Sequence, residues 1–294
     1  MAAGIGLFLA IIALTGGGLV VDNPATLVSL GNIATAGPIL MMLGFVIIVA
    51  LTARKVAGAV VIGILAVTAV AWLSGITEFK GVISTPPSAG ALLELDIAGA
   101  LNMSMLTIIL TLLLIDVFDT AGTLVGVATR ADMLDKDGKL PRLNKALLAD
   151  SGATAAGALL GTSSTTSYVE SAAGVEAGGR TGLSAVVTGL LFLLCLFISP
   201  LAQSIPAFAT ASALLFVACL MIRSIADLDW SDVTESAPAV VGALSMPLSY
   251  SIADGIGIGF ISYALIKLLA GRANECPAAV YVIAIIFALK FSVL

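Results

Sequence analysis

The chain has 294 residues, is 60% hydrophobic and only 11% charged, carries a formal net charge of −5, and contains no histidine. A soluble domain of this size could not cover its surface with so few charges, so an integral membrane protein is the expected class. The composition excludes imidazole catalysis and histidine-ligated metal, no basic patch is strong enough to hold nucleic acid, and Cys195, Cys219 and Cys276 lack the CxxC spacing of a disulfide framework or zinc site.

In chain order, apolar spans are expected at 2–21, 38–53, 56–75, 102–128 and 143–161. A short helix at 166–180 follows, entered from a run of hydroxyls, and then spans at 181–201 and 207–226. The stretch 233–270 is apolar but broken near its middle, and the last span is 278–294. A crossing helix needs roughly 20 residues for a ~30 Å hydrocarbon core, which makes about ten crossing elements in an all-α polytopic protein. The first span lacks the basic n-region and cleavage site of a signal peptide. If it runs from inside to outside, ten Lys and Arg fall inside and only Lys80, Lys267 and Arg272 fall outside, as the positive-inside rule favours. The loop 130–145 is then cytoplasmic and the loop 76–100 external. This arrangement holds only if 166–180 crosses as one element, which puts the hydroxyl run at membrane depth.

Polar residues inside the spans are the candidate functional groups. On "LLLIDVFDTAGTLVGVATR", Asp116, Asp119 or Thr120, Thr123 and Gly126 recur at helical spacing and make one face of an apolar helix polar and small. Two carboxylates on one buried helix call for a shared reason, such as a water-filled site. For Asp116 the plainer alternative is a hydrogen bond to a neighbouring helix. Next, Asp150, Thr154, Gly157 and Gly161 form a small, polar stripe, with the glycines read as packing and Asp150 as a partner to the site. All seven residues from Thr162 to Tyr168 carry a hydroxyl, and Gly161 suits the end of the preceding helix. Ser167 and Glu170 spell S-x-x-E, so a capping box is expected to start a helix near Ser167. Extended backbone at membrane depth is tolerated only where it is buried in protein or lines a cavity, and broken helices of this kind build transporter sites. The plainer reading is that Glu170 merely caps the helix. In "MPLSYSIADGIGIGF", Pro247 interrupts the helix and Asp254-Gly255 with Gly257 and Gly259 marks a break, at which Asp254 either acts directly or is simply satisfied.

Converging carboxylates, hydroxyls and broken helices point to a transporter. The enzyme alternative is an intramembrane aspartyl protease with Asp119 and Asp254 as its pair. The glycines follow Asp254, however, where the GxGD signature of those proteases has glycine before the aspartate.

Four motifs, "DVFDTAGTLVGVA", "LLGTSSTTSYVESAAGVEAGGRTGLSAVV", "IPAFATASALL" and "MPLSYSIADGIGIGFISY", resemble the nucleobase:cation symporter family (the xanthine/uracil permease superfamily). The nearest branch is that of AzgA-like adenine, guanine and hypoxanthine permeases. The resemblance covers essentially the whole chain. It implies fourteen membrane segments in two inverted repeats, a core domain from segments 1–4 and 8–11 and a gate domain from 5–7 and 12–14. Segments 3 and 10 each contain a short strand. On that template this chain carries segments 5 to 14. Residues 1–75 and 202–294 supply the gate parts, 76–101 the external loop and 102–201 half of the core, with the segment 10 strand in the hydroxyl run. The family's substrate-binding acidic positions fall on Asp119 and Glu170. Thr120, Ser167, Tyr168 and Phe118 are expected beside the purine, with Tyr168 or Phe118 offering an aromatic face. Asp116, Asp150 and Asp254 are expected to couple protons or support the site. The resemblance implies import of purine nucleobases across the cell membrane, in bacteria the inner membrane, by proton symport with alternating access. No cofactor and no metal are expected. It also implies that segments 1–4 precede Met1. The chain alone is then a non-transporting fragment, unless it is a shorter transporter that rebuilds the site as a homodimer.

Overall fold

The computed structural model describes residues 2–86 and 90–293. Thirteen α-helices are formed among them: α1 (Ala2–Gly16), α2 (Ala36–Ala53), α3 (Ala59–Leu73), α4 (Ile97–Ala100), α5 (Met103–Arg130), α6 (Leu143–Leu159), α7 (Ser171–Glu176), α8 (Gly182–Cys195), α9 (Ser199–Gln203), α10 (Ala207–Ile222), α11 (Val233–Ser249), α12 (Ile252–Leu269) and α13 (Ala278–Val293). Two strands, β1 (Val20–Asn23) and β2 (Leu27–Leu30), complete the regular structure together with 3-10 turns at Arg223–Asp227 and Ala273–Glu275. Ala36–Ala53, Ala207–Ala226 and Ile252–Leu269 are long and apolar enough to cross a bilayer, and Ala2–Gly16, Ala59–Leu73, Gly182–Cys195 and Ala278–Ser292 are shorter apolar helices. The chain divides into two compact units: Met1–Phe8, Ala89–Val169 and Met221–Leu294 in one, Leu9–Ser88 and Glu170–Leu220 in the other.

In the unit containing Leu9–Ser88, α2, α3 and α10 pack through small residues. A Cβ on Gly44 would lie 2.7 Å from Val67 and 2.8 Å from Ser212 Oγ. Around that contact sit Leu40, Val67, Ala71 and Ala209, with Ile48, Ala213 and Phe216 one layer along. The first span is shorter than the 2–21 expected, because α1 stops at Gly16 and Gly18 takes φ 75°. Beyond it Val20–Asn23 pairs antiparallel with Leu27–Leu30, Val20 opposite Leu30. Asn23 Oδ1 accepts the Ala25 N–H at 2.9 Å and closes the turn. This hairpin went unforeseen because its β-branched residues continue an apolar run. No residue of α8 is buried, and Leu183, Leu190 and Phe192 are all more than half exposed.

In the other unit, α5 and α6 are in contact. The segment before α5 lies at the end of α6, where Leu93 N–H donates to the Leu159 carbonyl at 2.9 Å. The 131–142 connection leads into the start of α6. A 17-residue helix is about 25 Å long, so the two connections sit at opposite ends of it. Single cysteines at Asp137 and Glu94, on a background lacking Cys195, Cys219 and Cys276, should therefore differ in intact cells. Glu94 is expected to label with an impermeant thiol reagent and Asp137 to stay silent, and the reverse pattern would invert the topology. Ser88, also in the external loop of the sequence reading, lies outside the described residues.

The stretch 233–270 forms two helices, α11 and α12. The chain turns back at Tyr250, whose φ of 52° ends α11, and Ser251 Oγ accepts the Asp254 N–H to start α12. The break therefore precedes Asp254-Gly255 by a turn, and Pro247 lies inside α11 without ending it. The glycines permit close approach: a Cβ on Gly242 would lie 3.0 Å from Gly259 Cα, and one on Gly255 would lie 2.7 Å from Met246 N. At the far end Lys267, fully buried, places Nζ 2.7 Å from Glu235 and 3.0 Å from Glu275. Arg272 donates to Asp232 at 2.7 Å and to Glu275 at 2.8 Å. The start of α11 and the end of α12 are thus clamped together, and the pair is an antiparallel hairpin. The Thr234 hydroxyl and N–H, aided by Arg272, hold the Asp232 carboxyl down at about 2. A carboxyl depressed in the folded state stabilises above its ordinary range near 4 and loses that contribution only as pH falls through about 2. The clamp is therefore fully charged at neutral pH. α13 returns along α12, with Lys290 Nζ 2.6 Å from Asp254 and Gly257 packed so closely on the Phe287 ring that a Cβ would clash with it.

Candidate functional site

The polar residues of the sequence meet where α5, α6 and the hydroxyl run come together. α6 ends at Leu159, and Gly161 takes φ 77°, a left-handed conformation that suits glycine. The chain then folds back along the helix it has just left. Thr162 N–H donates to the Gly157 carbonyl at 2.9 Å, and Thr154 Oγ1 donates to the Thr165 carbonyl at 2.8 Å. One turn further along, Thr166 Oγ1 lies 2.9 Å from Thr120 Oγ1, and Thr120 donates to Asp150 Oδ2 at 3.2 Å. The stripe of Asp150, Thr154 and Gly157 is the track on which the run lies. Residues 162–168 form neither helix nor paired strand. Their backbone is tied to α6 by the two hydrogen bonds at Thr162 and Thr165, with residues 162–165 exposed and Thr166 and Ser167 half-buried.

Thr120 and Thr123 are both 1% exposed, so α5 buries its hydroxyl face. Asp116, Asp119 and Asp150 are half-buried near the middle of their helices. Two features differ from expectation. The helix after the run begins at Ser171, not near Ser167, and Glu170 stands at its N-cap without a side-chain cap bond, so no capping box forms. Ser167 Oγ is instead buried without a partner among the described residues. The cause is that Thr165 and Thr166 are tied to α6 and α5, which holds the chain out of helix until Val169. Tyr168 is 61% exposed. Glu170 is exposed and belongs to the second unit. Phe118 is on α5, and its side chain lies outside the described residues. Asp254 is paired with Lys290.

Sequence reasoning did not single out Thr166 or Lys290. Thr166 has no signal that separates it from its six hydroxylated neighbours. Lys290 had one: a lone cation in an apolar helix, flanked at helical spacing by Phe287 and Phe291. Both rings lie within 6 Å of its ammonium.

The site's geometry can be set beside known proteins. The family model described as Permease family (Xan_ur_permease) matches residues 1–258. The adenine permeases AdeP and AdeQ of Escherichia coli K12 are 44% and 45% identical to the chain over 98% of its length, and 65% of each relative is covered. The guanine/hypoxanthine permease PbuG of Bacillus subtilis 168 is 42% identical over 98% of the chain and 66% of that protein. The chain spans about two thirds of the length of these relatives. A family of permeases leaves no place for the intramembrane protease reading. With its apolar helices and a match over most of its length, the chain belongs to the Permease family, as a multi-pass α-helical membrane protein and not an enzyme.

Proposed function

We propose that the protein, in a form as long as its relatives, imports purine nucleobases, in the class of adenine, guanine or hypoxanthine, across the cell membrane by proton symport. The observation that carries this reading is the run 162–166 folded along α6 onto the Thr120–Asp150–Thr166 contact near mid-helix. The names of the relatives, adenine and guanine/hypoxanthine permeases, support the substrate class. A purine presents ring N–H donors and ring nitrogen acceptors on one edge. Asp119 and Glu170 are the acceptors assigned to its N–H groups, and backbone N–H groups of the run to its acceptors. Tyr168 and Phe118 are the rings assigned to its face. Thr120 and Ser167 are the hydroxyls assigned beside the purine, Thr120 being buried and bonded to Asp150 and Thr166.

In this reading residues 1–75 and 202–294 belong to the gate and 102–201 to the moving core, and access alternates as one shifts against the other. The α11–α12 hairpin adds one crossing to the ten. Lys267 and Arg272 then join Arg54, Lys55, Arg130, Lys136, Lys139, Arg142, Lys145, Arg180 and Arg223 inside. That leaves Lys80 and Lys290 as the exceptions among thirteen basic residues, a stronger bias than the single-crossing arrangement had. The test is uptake of radiolabelled adenine, guanine and hypoxanthine by cells without purine permeases that express the protein in a form as long as its relatives. Saturable uptake that collapses with a protonophore is expected. Uptake indifferent to the protonophore would remove the proton from the mechanism, and no uptake above vector would remove the transport reading.

A further inference from the structure

Helical Ser and Thr in an apolar setting usually turn their hydroxyl onto the carbonyl one turn back in their own helix. This chain follows that habit: Thr15 bonds Ile11, Thr68 bonds Ile64, Thr129 bonds Val125, and Ser151 bonds Leu147, each through the i−4 carbonyl. Thr154 does not. Its hydroxyl leaves α6 and donates to the carbonyl of Thr165, 2.8 Å away and eleven residues on. One turn further along α6, Gly157 is buried against the same run, and a Cβ there would lie 2.7 Å from Thr165 Oγ1 and 2.9 Å from Thr162 Oγ1. The donor and the gap lie on one face of α6. Together they set both the height and the rotation of residues 162–166 along the helix. We infer that Thr154 is a positioning residue for substrate, holding the hydroxyl run in register so that Thr166, Ser167 and Tyr168 present the right groups to the purine.

The inference rests on the proposed function for its substrate, while its geometry stands apart from that reading. Sliding the run by one residue turns every alternate side chain to the opposite face. Among the described residues the partners that tie the run to its neighbours include the Thr154 hydroxyl, the Gly157 carbonyl and the Thr120 hydroxyl. Thr154 is the only one of the three that contributes a side chain from α6. Its hydroxyl bonds to the run, so its effect passes through the run.

The test compares Thr154→Val, which keeps the shape and removes the donor, with Thr154→Ser, which keeps the donor. In the valine variant the apparent KM for purine is expected to rise about 3–10-fold, the equivalent of one neutral hydrogen bond. Maximal rate and membrane level are expected to stay near those of the parent, and serine is expected to restore KM to within about twofold. Hydrogen exchange of the 162–168 amides in lipid nanodiscs gives a reading independent of transport and is expected to speed up in the valine variant only. Unchanged KM and unchanged exchange in the valine variant would overturn the inference. So would equal losses in valine and serine, or a fall in maximal rate that tracks membrane level, because these mark a structural role only. If the parent protein carries no purine, the transport reading fails by itself, and the exchange comparison still decides whether Thr154 holds the run.

Discussion

Replacing Asp119 by Asn or Glu170 by Gln is expected to abolish purine uptake while leaving the protein in the membrane at its normal level. Each change keeps the shape of the side chain and removes one charge. It also replaces an acceptor oxygen by an amide that points its own donors at the ring N–H groups of the purine. A hydrogen bond to a charged group contributes about 1.5–3 kcal/mol, which is roughly 10–100-fold in affinity for each carboxylate. A second effect adds to the first: a carboxamide takes up no proton, so a symport cycle that loads its proton on that carboxylate stops altogether. Asp119 lies on the same short stretch of α5 as the buried Thr120, beside the anchored run. Asp116→Asn is expected to be milder, because that residue is one turn further from the Thr120 contact. Uptake by either principal variant at the parental rate, with equal protein in the membrane, would remove that carboxylate from the site.

The second large effect concerns stability. Lys290 has 8% of its side chain exposed and meets Asp254 at 2.6 Å, with the Phe287 and Phe291 rings both within 6 Å of its ammonium. Lys290→Met leaves the Asp254 carboxylate within an apolar bundle without its cation, and Asp254→Asn strands the ammonium. Breaking one partner of such a pair costs on the order of 3 kcal/mol, while replacing both together is close to neutral. Each single variant should therefore give a lower yield of monodisperse protein and a lower melting temperature in detergent. The double variant Asp254→Asn/Lys290→Met should recover most of both. Purine uptake by the double variant separates two roles for Asp254. Recovery of uptake with stability assigns the pair to anchoring α13 on α12. A stable double variant that carries nothing would place Asp254 on the proton route.

Most helices could be read from the sequence because the signal for each is local. The run from Ala36 to Ala53 is apolar throughout and stops at Arg54-Lys55, and the structure places α2 on those residues. Direction was harder to read. A break between 246 and 259 was evident from Pro247 and the glycines, but a break does not say whether the chain continues or returns. The answer lay in Lys267 and Arg272 finding Asp232, Thr234 and Glu235 at the far end of the preceding helix. The candidate site was legible in the same partial way. Depth and spacing marked Thr120, Asp150 and the hydroxyl run separately, but their meeting depends on the run folding back along α6, which no local pattern encodes. The capping box failed for a related reason. Ser167 and Glu170 have the right spacing, but the tertiary bonds of Thr165 and Thr166 prevail over a local preference that contributes about 1 kcal/mol.

The clamp at the open end of the α11–α12 hairpin bears on how the protein is made. Asp232, Thr234 and Glu235 leave the ribosome before Lys267 and Arg272, so α11 reaches the bilayer carrying the anions that α12 needs. A lysine presented alone to lipid near the end of an apolar helix is costly to insert. Glu235 shields the Lys267 charge only if the two helices enter side by side, already folded against one another along Gly242, Gly255 and Gly259. The unit of membrane insertion for this part of the chain is then the helical pair, and a nascent chain arrested between Tyr250 and Lys267 would wait at the translocon for the second half of its own hairpin.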